Sequence, residues 1–226
     1  MKRFIVDKLL QWHNDYRRKP LILRGARQVG KTWAVKEFAK QHFQGRIHLI
    51  DFEKYPDLHK IFAKNLDIKR IISELELFLN RAITPGKDLL FFDEIQSCPR
   101  AIMSLRYFFE DLPGLSVIAA GSLLDFALKD ISFPVGRVQF LNLYPMTFVE
   151  FLLATDKDMM AQKLVSDPLH LPDNIHQMFL EQLRLYFFVG GMPECVKRYR
   201  EEGKLVNVFA VQENLIQAYR ADFAKY

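Results

Sequence analysis

Five short apolar runs recur along the first two thirds of the chain: LILR (21–24), RIHLIDF (46–52), DLLFFDE (88–94), LSVIAAGS (115–122) and VQFLNL (138–143). Each is bounded by Gly, Pro or charge, and most are apolar on both alternating faces. That pattern predicts strands buried on both sides of a parallel sheet rather than half-exposed antiparallel ones. Between them, 31–43, 68–82 and 100–110 read as helices, with a short turn near 123–129. Alternation of this kind predicts an α/β layer fold with right-handed crossovers. Ahead of the first strand lies an amphipathic helix that offers Phe4, Leu9, Leu10 and Trp12 to one face and stops at RRKP.

After Pro145 the pattern loses its strands. TFVEFLLA and IHQMFLEQLRLYFFV read as helices, SDPLHLPDN (166–174) as a loop between them, GGMPE as a break, and two further helical stretches follow. The expected organisation is an α/β domain over 1–145 and an all-helical unit over 146–226. In the last helix, Leu205, Val208, Phe209, Leu215, Ile216, Tyr219 and Phe223 recur near a helical spacing. Either this stripe docks on the helical unit, or it is an apolar strip for self-association or a partner protein. The final turn carries no Gly or Pro stop signal, so the helix is expected to continue in longer relatives.

Charge and cysteine content narrow the classes. Lys and Arg number 32 against 27 acidic residues, a net charge of +5 over 226 residues, and the basic residues are scattered. Arg17, Arg18 and Lys19 form the densest run, too short for a nucleic-acid footprint. DNA is therefore a weakly supported partner, expected to bind only through salt-sensitive phosphate contacts. Cys98 and Cys195 stand far apart without a CxxC, which argues against zinc. The N-terminus lacks the apolar core of a signal peptide and no span is long enough for a membrane, so the cytoplasm is expected.

The sharpest pattern is GARQVGKT, residues 25–32, a GxxxxGKT loop between a predicted strand and a predicted helix. Glycines let such a loop wrap an anion with its backbone N–H groups, and the helix N-terminus adds partial positive charge. Lys31 can reach β- and γ-phosphate oxygens, and the Thr32 hydroxyl can ligate Mg²⁺. The candidate nucleotide-binding set is Gly25, Ala26, Arg27, Gln28, Val29, Gly30, Lys31 and Thr32, with Trp33 next on the helix. A plain strand-to-helix turn would leave the Lys–Thr pair unexplained.

A phosphate loop calls for a carboxylate partner, and LLFFDE supplies one at the end of an apolar strand. Asp93 is the second candidate ligand of Mg²⁺, and Glu94 the candidate base that orients and deprotonates the attacking water. A strand inserted between those of the loop and Asp93 would bring Ser122, at the end of VIAAGS, beside the γ-phosphate. Gly–Ser also makes an ordinary turn. Arg137 suits a charge stabiliser, in cis or from a neighbouring subunit, and equally a solvated turn.

Taken together, RRKPLILRGARQVGKT, DEIQ, AAGSLL, LYPMTFVEFL and GGMPECV resemble the prokaryotic, archaeal and bacterial, AAA-type ATP-binding proteins. These fall in the additional-strand class of P-loop NTPases that includes AAA+ and STAND ATPases. The resemblance covers nearly the whole chain. It implies a five-stranded parallel sheet in the order 5-1-4-3-2, a small helical lid, ATP and Mg²⁺ as cofactors, and ATP hydrolysis. Lys31, Thr32, Asp93 and Glu94 match the family motif positions one by one. GGMP resembles the GxP element of STAND-type lids, which would set Pro193 near the adenine. Family members usually continue into a further C-terminal domain, so residues near 226 are expected to begin a link to it. Two alternatives stay open: a nucleotide-gated switch with little turnover, and a DNA-associated ATPase.

Overall fold

A computed structural model describes residues 1–44, 46–122, 134, 136–167 and 169–224. The expected turn at 123–129 lies outside the described residues. All five apolar runs form strands: β1 (Leu21–Arg24), β2 (Ile47–Asp51), β3 (Leu89–Asp93), β4 (Ser116–Gly121) and β5 (Gln139–Asn142). They pair in parallel in the order β2-β3-β4-β1-β5, which is 5-1-4-3-2 read from the other edge. Position in the sheet accounts for composition. Every residue of β3 and β4 is buried, whereas the edge strands β2 and β5 alternate with more exposed positions.

The crossovers are α2 (Lys31–His42) after β1, α3 (His59–Lys64) and α4 (Ile68–Leu79) after β2, and α5 (Pro99–Asp111) after β3. Asp67 caps α4 by accepting from the Lys69 and Arg70 N–H groups, and Pro99 opens α5, where a missing N–H goes unnoticed. Helix α1 (Ile5–Asn14) buries Ile5, Leu9 and Trp12, while Leu10 is only half-buried. The Trp12 indole N–H donates to Lys19 O at 2.7 Å, pinning the segment that leads into β1.

On one face of the sheet, Phe52, Phe62, Phe92 and Phe108 are buried in a connected cluster with centroids 5.5–5.8 Å apart, mostly edge-to-face. Such pairs contribute roughly 0.5–1.5 kcal/mol each beyond burial. They hold α3 and α5 against β3, the strand that ends in Asp93. Ile5–Leu143 forms one compact unit, and Met1–Phe4 with Tyr144–Tyr226 forms a second.

The second unit contains α6 (Phe148–Ala154), α7 (Asp158–Ser166), α8 (Asp173–Val189), α9 (Pro193–Glu202) and α10 (Leu205–Phe223). Helix α7 forms where the apolar pattern predicts no helix. Its single fully buried residue, Ala161, explains why no apolar stripe announced it. The stripe of α10 divides in two: Val208 and Leu215 are buried with Leu205 and Tyr219 packed beside them, joined by Val211 from outside the stripe, while Phe209, Ile216 and Phe223 are exposed. Gly191 is a forced glycine. A Cβ there would stand 2.4 Å from Met146 O, next to the bond that Met146 N–H donates to Gly191 O.

No helix among the described residues is long and apolar enough to cross a membrane.

Candidate phosphate-binding site

Strand β1 delivers the chain to Gly25 at the carboxyl end of the sheet. Gly25 has φ 154°, and a Cβ would come 2.3 Å from Leu143 O, where the chain after β5 runs alongside. Gln28 and Gly30 are also left-handed, with φ of 63° and 92°. Those three turns fold residues 25–30 back over the start of α2, with Val29 buried beneath and Ala26 and Gln28 exposed. Trp33 is exposed on the first turn of α2.

Lys31 is buried, and its Nζ donates to Gly25 O and Ala26 O, each at 2.9 Å. Burial pushes its pKa below the ordinary lysine value, against the pull of the Glu94 and Asp93 carboxylates and with a smaller push from Arg27. The Thr32 hydroxyl donates to Asp93 Oδ2 at 2.7 Å. Asp93 is buried at the end of β3, and that burial raises its pKa, with repulsion from Glu94 and Asp51 adding and the Thr32 hydroxyl opposing.

Glu94 leaves the strand in the left-handed region, φ 49° and ψ 45°, a conformation that non-glycine residues rarely adopt and that clusters at functional sites. The 3₁₀ turn Ile95–Ser97 follows, and brings Gln96 Nε2 within 2.6 Å of Glu94 Oε2.

Strand β4 lies between β1 and β3, and Ser122 follows its last residue, buried beside the loop. Arg27 Nε donates to Ser122 Oγ at 3.2 Å, and Arg27 Nη2 stands 3.6 Å from Glu53 Oε1. The fold thus brings Arg27, Lys31, Thr32, Asp93, Glu94 and Ser122 to the carboxyl ends of three adjacent strands. Arg137 is not among them. It precedes β5 at the amino end of the sheet, and its Nε donates to Glu110 Oε1 at 2.8 Å near the end of α5. Pro193 belongs to the second unit, where it opens α9. Sequence reasoning gave no role to Glu53 or Gln96. The only signal was the Gln of DEIQ, three residues downstream of the strand's last aspartate.

Asp93 gives a pH-dependent expectation. Its folded pKa exceeds the unfolded value, so the folded state holds the proton more tightly, and stability falls as pH rises between those two values. Asp93→Asn should therefore raise the melting temperature of the ligand-free protein at pH 7, with the gain shrinking as pH falls from the folded value towards the unfolded one and gone below it. Thermal melts at pH 3.5, 5 and 7 check this; a gain that does not vary with pH contradicts it.

A family model described as "AAA domain" matches residues 17–152, and one described as "Domain of unknown function (DUF8612)" matches 180–226. No curated protein matches the chain in sequence. Among solved structures, Drosophila ORC bound to DNA is similar at 15% identity and TM-score 0.52, covering 86% of this chain and 57% of that one. AMPPCP-bound DnaA from Aquifex aeolicus is similar at 16% identity and TM-score 0.46, covering 86% and 57%. C. elegans PCH-2 is similar at 14% identity and TM-score 0.45, covering 93% and 66%. This chain thus spans less than two thirds of each of those chains. The likeness to ORC and the observed strand order give the P-loop NTPase fold with an additional strand. Since the family model covers more than half of the chain and includes the whole 25–32 loop and the Asp93–Glu94 strand end, the chain belongs to the AAA domain family.

Proposed function

We propose that this protein binds Mg·ATP in the 25–32 loop and hydrolyses it. One observation carries the reading: a loop lysine, a hydroxyl–carboxylate pair 2.7 Å apart and a second carboxylate converge at the ends of neighbouring strands. Lys31 already rests on two loop carbonyls, and exchanging them for β- and γ-phosphate oxygens would give its partly desolvated charge an anionic partner. Thr32 Oγ1 and Asp93 Oδ2 are oxygen donors suited to a hard cation that keeps waters and shares phosphate ligands. Mg²⁺ held there would supply neutralisation of phosphate charge. Glu94, held by one carboxylate oxygen, keeps the other for the proton of the attacking water. Arg27 and Ser122, bonded to each other at the mouth of the loop, would contact the terminal phosphate in this reading.

Lys31→Ala tests the reading. A hydrogen bond to a charged group contributes about 1.5–3 kcal/mol, so the affinity for Mg·ATP should fall roughly 10- to 100-fold with the fold intact. Isothermal titration calorimetry measures this, and unchanged affinity overturns the assignment. Phosphate release by the parent protein separates an ATPase from a switch that binds without turnover.

A further inference from the structure

We propose that Gln96 is the residue that positions Glu94, resting on the reading of Glu94 as the base. Glu94 sits at a strained left-handed turn, so its backbone is set by the strand end and the following 3₁₀ turn, where Ser97 N–H donates back to Glu94 O at 3.1 Å. Its side chain still has free torsions, and a base must hold its oxygen on the water in a single geometry. Among the described residues, the side-chain donor that reaches it is Gln96 Nε2, at 2.6 Å from Oε2.

The amide orientation of Gln96 follows from chemistry. The same Nε2 stands 3.4 Å from Glu53 Oε1, so it faces two carboxylates that, ionised, can only accept. Gln96 Oε1 is buried and accepts no hydrogen bond among the described residues. Turning the amide over would set that oxygen against two anions, so the donors stay on the carboxylates.

Glu53 is in turn anchored. It follows β2, its N–H donates to Asp51 Oδ1 at 3.1 Å, and its carboxylate lies 3.6 Å from Arg27 Nη2. Gln96 is therefore braced between the strand end and a carboxylate tied to the phosphate loop. It clamps Glu94 Oε2 and leaves Oε1 for the water.

Gln96→Met keeps the length and removes the donor, and Gln96→Glu keeps the shape but puts a third carboxylate in the cluster. Each should lower kcat for ATP roughly 10- to 100-fold, the scale of a misplaced catalytic group, with Mg·ATP affinity unchanged by calorimetry. The decisive readout is the double variant. If Gln96 acts through Glu94, then Glu94→Gln/Gln96→Met is no slower than Glu94→Gln alone. Parent-like kcat in Gln96→Met overturns the proposal. So does a further loss in the Glu94→Gln background, which would mark a structural role. Parent-rate hydrolysis by Glu94→Gln, or no turnover in the parent, would instead remove the base itself and with it the need for a positioning residue.

Discussion

Glu94→Gln is expected to lower ATP turnover by about 100- to 10,000-fold while leaving Mg·ATP affinity unchanged. The amide is isosteric and can still accept from Gln96 Nε2, so the strand-end turn and the clamp survive. What is lost is a group that can take a proton from water. Affinity should hold because Lys31, Thr32 and Asp93, which face the phosphates and the cation in this reading, form their contacts without Glu94. Steady-state phosphate release, with binding measured in parallel, gives the two numbers. Turnover at the parent rate would sink Glu94 as the base and favour a switch whose nucleotide state, rather than its chemistry, is the output.

The second large effect is on stability and lies in the other unit. Glu150 is buried, and its carboxylate accepts three hydrogen bonds: from Arg3 Nε at 3.1 Å, from the Phe4 N–H at 2.7 Å and from the Thr147 N–H at 2.9 Å. The last of these closes a capping box, with Thr147 Oγ1 accepting the Glu150 N–H at 3.2 Å. Arg3 is equally buried and also donates to Tyr144 O at 2.7 Å. One carboxylate thus ties residues 1–4 to the start of α6.

Glu150→Ala would remove the buried carboxylate to which Arg3 Nε and two backbone N–H groups donate. It should destabilise the unit by about 3–5 kcal/mol. Urea unfolding measures this, read from probes in each unit because a two-unit chain need not unfold in one step. A loss below about 1 kcal/mol in Glu150→Ala would mean the pair behaves as a solvated one.

Neither partner of that pair was visible as such in the sequence. Arg3 and Glu150 are 147 positions apart, and each reads alone as an ordinary surface charge or helix-start acid. The same holds for Arg137. Its neighbourhood in sequence, a turn before an edge strand, says nothing of which end of the sheet it occupies. Parallel pairing of Leu21 with Gln139 sets that, and sends Arg137 to Glu110 and away from the loop. Gln96 lies in the DEIQ motif, yet its chemistry depends on a 3₁₀ turn that folds it back onto Glu94.

By itself the sequence determined the strands, the sheet class, the strand order through family resemblance, and the loop with its lysine, threonine and strand-end carboxylates. These are local: apolar runs buried on both faces must pair, and a GxxxxGKT loop encodes its own turn and helix start. Tertiary structure alone decided which side chains meet. It put Arg27 on Ser122, set Gln96 between Glu94 and Glu53, and split the α10 stripe into a packed half and an exposed one. Hydrophobic periodicity records that a face is buried, but polar partners are chosen by distance and direction after the layers have packed, and no spacing along the chain carries that information.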